Sequence, residues 1–124
     1  MPATATRVLV VDDNADSVAM LTMLLEMKGH VTAMAQSGPE ALEKAESFRP
    51  DVVVLDIGLP GMDGYEVAGR LRQRPGGEGV TLVALTGWGS DEDRQRTREA
   101  GFNHHFTKPV DPEALERVLE EIRT

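Results

Sequence analysis

VVVLDIGLPGMDGYEV, residues 52–67, carries the reading of the fold. It opens on four apolar residues with no polar residue between them. A strand with one wet face alternates apolar and polar side chains. A continuous run suits a strand covered on both faces, as in a parallel sheet. The run stops at Asp56, and Asp63 then stands ahead of Val67, Ala68 and Leu71 at helical spacing. The PGGEG stretch at 75–79 breaks the chain after that helix.

Working outward, the same pattern recurs. Apolar, β-branched runs lie at residues 8–11 and 80–85, with a weaker one at 31–35. Residues 104–107 are a fifth candidate, from their place in the alternation. Between the runs, Val18, Leu21 and Leu25 share one face of a helix that Gly29 ends. Ser37 and Glu40 have capping-box spacing before Leu42, Ala45 and Phe48. Ser90 can cap a fourth helix. Asp111-Pro112 starts a fifth, with Leu115, Val118, Leu119 and Ile122 at helical spacing. Met20, Met23 and Met27 also recur at helical spacing and are expected in packing. The order βαβαβαβαβα implies parallel strands, right-handed crossovers and helices on both faces: a doubly wound α/β domain, (βα)5.

A chain of 124 residues is one domain, 1–124, with residues 1–6 a short N-terminal tail. Its net charge of -8 argues against nucleic-acid binding, which needs a basic face. Without cysteine there is no disulfide scaffold, thiolate metal site or cysteine nucleophile. The amino terminus lacks a signal peptide's basic and apolar regions, and no apolar run approaches the roughly 18 residues of a membrane helix. The expectation is a cytoplasmic domain with no membrane insertion.

In a doubly wound sheet, ligands bind beyond the carboxyl ends of the strands. Asp12 and Asp13 close the first strand, Asp56 the third, Thr86 the fourth and Lys108 the fifth. Two carboxylates about 4 Å apart repel by roughly 4 kcal/mol at an effective dielectric near 20, so three of them call for a cation. The same crowding makes neutralisation of Asp13 stabilising when no cation is present. Oxygen ligands without thiolates or clustered imidazoles favour a hard ion such as Mg²⁺. A carboxylate beside such an ion, with a lysine across the site, can accept a phosphoryl group as an acyl phosphate. Taken singly, each residue has a plainer role: Asp13-Asn14 as a helix cap, Thr86-Gly87 as a turn, Lys108 as a solvated charge. Only the combination points to chemistry. His104 and His105 look like a metal pair, but adjacent strand residues face opposite ways and do not share an ion. Neither GxxxxGK[ST] nor GxGxxG occurs, and Gly77-Glu78-Gly79 belongs to a loop.

VLVVDDN at 8–14, VVVLDIGLPGMDGYEV at 52–67, LVALTGW at 82–88 and HHFTKPVD at 104–111 together resemble the response-regulator receiver domains of two-component signalling. The likeness spans essentially the whole chain, and it is closest to receivers attached to hybrid sensor histidine kinases. It implies a flavodoxin-like five-stranded parallel sheet of order 2-1-3-4-5. It implies Asp56 as phosphoacceptor, and Mg²⁺ (or Mn²⁺) held by Asp13, Asp56 and the backbone carbonyl of Gly58, with Asp12 acting through water. Thr86 and Lys108 would contact the phosphoryl group, and Lys108–Pro109 would be a cis peptide. The family's aromatic switch position is His105 here, paired with Thr86. Gly58, two residues after Asp56, has no side chain to screen an acyl phosphate, and Trp88 can shield the site instead.

The function these features imply is a phosphorylation-controlled switch in a phosphorelay, with a histidine kinase or histidine-phosphotransfer domain as partner. It would be a signalling module and not a metabolic enzyme. The alternatives are a phosphate-independent interaction module and an aspartyl-phosphate phosphatase. Such phosphatases commonly carry an acid two residues after the nucleophile, where this chain has Gly58.

Overall fold

The computed structural model describes residues 6–87 and 91–123, without the side chains of residues 91–93 and 123. Five strands alternate with five helices: β1 (Arg7–Val11), α1 (Ala15–Met27), β2 (Val31–Ala35), α2 (Gly38–Phe48), β3 (Val52–Asp56), α3 (Gly64–Gln73), β4 (Thr81–Thr86), α4 (Asp91–Glu99), β5 (His104–Thr107) and α5 (Pro112–Arg123). All neighbouring strands pair in parallel, in the order β2-β1-β3-β4-β5.

The continuous apolar runs are the buried strands. Every residue of β3 is buried, because odd and even side chains enter two separate cores. Leu9, Val53, Leu55 and Leu82 pack with α2 and α3 on one face. Val8, Val10, Val54 and Val83 pack with α1 and α5 on the other. Each fully buried Val or Leu contributes roughly 1.5–3 kcal/mol relative to exposure.

Helix starts follow their sequence signals. Asn14 caps α1 by accepting from Ser17 N, Ser37 caps α2 and Asp63 caps α3. The capping box of α2 is shifted: Glu40 Oε1 accepts from Gln36 N at 2.6 Å, one residue before the expected Ser37 N–H. Ser90 lies outside the described residues.

Several expectations need correction. Met20, Met23 and Met27 do not pack in a core. They are 62%, 58% and 76% exposed, on the face of α1 opposite Val18, Leu21 and Leu25. Methionine spacing gives a stripe but does not say which side of the helix it lies on. Ile122, near the end of α5, is 36% exposed. Gly77–Gly79 forms a 3-10 turn, with Val80 N bonded to Gly77 O, which leaves Val80 outside β4. Thr6, just ahead of β1, is buried, and its carbonyl accepts from Val31 N.

Candidate functional site

Asp12, Asp56 and Lys108 meet at the carboxyl edge of the sheet. Asp12 follows β1 and is buried, with Oδ1 accepting from Asn14 N at 3.0 Å. Asp56 is the last residue of β3. Its Oδ1 accepts from Gly58 N at 2.9 Å, and its Oδ2 accepts from Lys108 Nζ at 2.7 Å. Lys108 Nζ also lies 3.5 Å from Asp12 Oδ2. Asp13 is exposed, yet one carboxylate oxygen from each of Asp12, Asp13 and Asp56 falls within 4.8 Å of the others. Among the described residues this is the one group of acids and imidazoles close enough to hold a metal ion.

The backbone explains the aim of these side chains. Ile57 N donates to Leu85 O, and Gly64 N donates to Ile57 O, which folds the β3–α3 connection back on the strand end. A Cβ on Gly64 would lie 2.6 Å from Ile57 Cα and 3.0 Å from Asp56 O, so any side chain there would push on the Asp56 backbone. Lys108 N donates to Thr86 O at 2.7 Å, and the Lys108–Pro109 peptide is cis.

The charges are unequal in their comfort. Burial raises the pKa of Asp12 above the usual carboxylate value; the Asn14 N–H opposes that and the neighbouring Asp56 charge adds to it. For Lys108, burial acts to lower the pKa, but the bonds and charges of Asp56 and Asp12 override it and the net shift is upward. Lys108 is therefore a firmly protonated ammonium clamped between two acids.

Thr86 ends β4, one residue beyond Leu85, which is level with Asp56. Its hydroxyl lies 3.0 Å from His105 Nε2. The other ring nitrogen, Nδ1, lies 3.1 Å from Thr97 Oγ1, and that hydroxyl also reaches Arg94 O at 2.9 Å. A line of hydrogen bonds thus runs from the site edge through β5 into α4. Thr97 was legible only as one of the least polar residues of a charged helix. Its burial to 2% exposure comes from the tertiary contact. At Gly58 the structure fixes the N–H on Asp56, and an added Cβ would sit 3.6 Å from Asp56 Oδ1, over the carboxylate. Trp88 lies outside the described residues. His104 and His105 form no metal group with other side chains among the described residues.

Residues 8–120 match the sequence model of the response regulator receiver domain. The chain belongs to that family. An uncharacterized 14.6 kDa protein of Leptolyngbya boryana is 41% identical to this receiver over 92% of the chain and 87% of its own length. The chain spans about half the length of several other curated relatives that it matches. Among solved structures, the chemotaxis response regulator CheY4 of Vibrio cholerae superposes with a TM-score of 0.89 at 31% identity, over 96% of this chain and 99% of that one. The receiver domain of the sensor histidine kinase PA1611 of Pseudomonas aeruginosa PAO1 has a TM-score of 0.86 at 28% identity, covering 97% of this chain and 98% of that one. That structure has a magnesium ion coordinated in its active-site cleft. This receiver is accordingly a module of two-component signalling, with its acidic cluster at the carboxyl edge of the sheet. No helix among the described residues is long and apolar enough to cross a membrane.

Proposed function

We propose that this receiver accepts a phosphoryl group on Asp56 from a phosphohistidine of a histidine kinase or histidine-phosphotransfer domain. The observation that carries this reading is the buried Asp56 carboxylate, held by Lys108 at 2.7 Å beside two further acids. A carboxylate oxygen of Asp56 attacks phosphorus, the P–N bond breaks, and its electron pair returns to the imidazole of the donor. An acyl phosphate is left on Asp56.

Three carboxylates with no sulfur or imidazole among them suit a hard cation, so Asp12, Asp13 and Asp56 fit Mg²⁺, or Mn²⁺ with the same oxygen preference. Such an ion would neutralise charge on the transferring oxygens. The Gly58 carbonyl would be the further protein ligand, with Asp12 acting through water. Lys108 balances the incoming negative charge from the opposite side. Thr86 turns its hydroxyl from His105 to a phosphoryl oxygen, and the pair works as the switch. The chain then acts as a cytoplasmic signalling module and not as a metabolic enzyme, and its net charge of -8 disfavours nucleic acid as a partner.

The test is incubation with acetyl phosphate and Mg²⁺ followed by intact mass and peptide mapping. One slowly decaying adduct on Asp56, absent from Asp56→Asn, is the expected result. An adduct on another residue in the wild type would refute the assignment. Rapid multiple turnover would indicate a phosphatase, and no adduct would indicate a phosphate-independent module.

A further inference from the structure

Among the described residues, five of the six exposed large hydrophobics fall in one region: Met20, Met23 and Met27 of α1, with Val31 and Met34 of β2. Helix α1 is consequently apolar on both sides, and a helix apolar all round is normally a covered one. Met23, Met27 and Met34 line an open groove between the outer face of α1 and β2, with Glu26 at its side.

The neighbouring backbone is open too. Strand β2 lies at the end of the sheet and pairs with β1 alone. Val31 N donates to Thr6 O, and Ala35 O accepts from Asp12 N, so residues 31, 33 and 35 turn their amides towards β1. The N–H and C=O of Thr32 and Met34 therefore point off the sheet. Gln36 N is already closed by Glu40. The strand reads VTAMA, without the lysine, proline or bulge that guards an exposed edge.

We infer that two copies of this chain associate through β2, pairing antiparallel about a two-fold axis at Ala33 and burying the methionines between them. In that register Thr32 of each copy faces Met34 of the other, and each pair exchanges both N–H···O bonds. Every outward group of the open stretch is then satisfied. Thr32 and Met34 are level with Val8 and Val10, which face α1 and α5, so both side chains lie on the α1 side of the sheet. The methionines of both copies thus meet on one face. Their exposed surface is on the order of 500 Å² per copy, and burying it in both copies would reach the roughly 1,000 Å² that a specific interface needs.

The helices fit the same axis. The Thr32–Glu26 hydrogen bond sets α1 level with β2, and places Met23 near the axis. The two α1 helices then run antiparallel across it. Asp56 lies on β3, on the far side of β1 from this edge. Dimerisation therefore does not depend on the phosphorylation reading.

Sedimentation equilibrium from micromolar to millimolar chain measures the association. The wild type should dimerise, more tightly as salt screens the charge of -8 on each copy. Thr32→Pro removes an outward N–H without touching the β1 ladder, and Met34→Lys places a charge at the seam. Each should weaken dimerisation about tenfold or more while circular dichroism and Tm show a folded chain. Since the chain has no cysteine, Ala33→Cys offers a single thiol, and two-fold pairing brings the two thiols within bridging distance. Ala33→Cys should oxidise to a covalent dimer, whereas the exposed control Ser47→Cys should not. A wild type monomeric throughout would leave this surface to another protein and overturn the proposal. A dimer that Thr32→Pro and Met34→Lys leave intact, with Ala33→Cys uncrosslinked, would overturn it as well.

Discussion

Replacing Asp12 by asparagine should stabilise the protein when metal is removed. Asp12 is 5% exposed, and its oxygens lie within 4.8 Å of Asp56 and 3.5 Å of Lys108. At an effective dielectric near 20, repulsion from Asp56 is about 3.5 kcal/mol and attraction to Lys108 about 4.7 kcal/mol. Lys108 is partly open to water, which screens its share. The two terms nearly offset, and burial of the charge remains as the net penalty, in agreement with the raised pKa. Asparagine keeps an oxygen to accept from Asn14 N, so Asp12→Asn should gain on the order of 1 kcal/mol. For a chain of this length that is a rise of about 4 °C in Tm. The sign with pH follows from linkage. A carboxylate with its folded pKa above the ordinary 3.8 penalises the native state fully above that raised pKa. The penalty fades as pH falls through it and is gone below the unfolded value. Thermal unfolding in chelator at pH 7.5 and at intervals down to pH 4 measures the difference. Wild type should instead gain from Mg²⁺, by about 2.7 kcal/mol at a hundredfold excess over Kd, and the variant less. An Asp12→Asn protein less stable than wild type in chelator, or an advantage that does not shrink on acidification, would show the reasoning wrong.

Thr97→Val keeps the shape of the side chain but loses the bonds to Arg94 O and His105 Nδ1. Urea unfolding should show a loss of about 1 kcal/mol, the NMR signals of the His105 ring and Thr86 should shift, and Thr97→Ser should restore both. Arg72 donates to Gly101 O at 2.7 Å, Gly77 O at 2.8 Å and Asn103 Oδ1 at 2.7 Å, tying α3 to the turns that lead into β4 and β5. Arg72→Ala should destabilise by about 2–4 kcal/mol, seen as a lower urea midpoint, without changing the stoichiometry of phosphorylation.

The fold was legible because β1, β3 and β4 have unbroken apolar interiors and the helix starts carry side-chain signals, while β2 and β5 were placed by the alternation. Strand ends were less so: Asp56 and Thr86 belong to β3 and β4, yet polarity placed them beyond the runs. The site residues were readable as strand-end polar groups, since parallel strands bring their carboxyl ends to one edge. Which acid is buried was not readable. Two adjacent aspartates look alike in sequence, but Asp12 turns under Asn14 towards Lys108, while Asp13 faces water. The strain expected at Asp13 therefore weighs mainly on Asp12. Arg72 and the His30–Glu116 pair, 2.8 Å apart across 86 residues, carried no local signal because their partners come from distant segments.

The anchoring of α4 bears on how the proposed phosphorylation would be read out. A helix of sequence DEDRQRTRE has no bulky apolar stripe, which suggests loose attachment. The structure attaches it with polar and aromatic contacts instead. Arg96 stacks 4.3 Å over the Tyr65 ring, and Thr97 bonds His105. Polar anchors of this kind are specific in geometry and modest in energy, near 1 kcal/mol each. They can be exchanged without disturbing a hydrophobic core. If Thr86 turns to a phosphoryl group, His105 loses a partner on one ring nitrogen while Thr97 still holds the other. The ring then either follows Thr86 and pulls on α4, or stays with Thr97. Both outcomes change the contact between β5 and α4 and spare the apolar layers under α1, α2 and α5. A ring that bridges Thr86 and Thr97 would therefore make the α4–β5 face responsive to chemistry at Asp56.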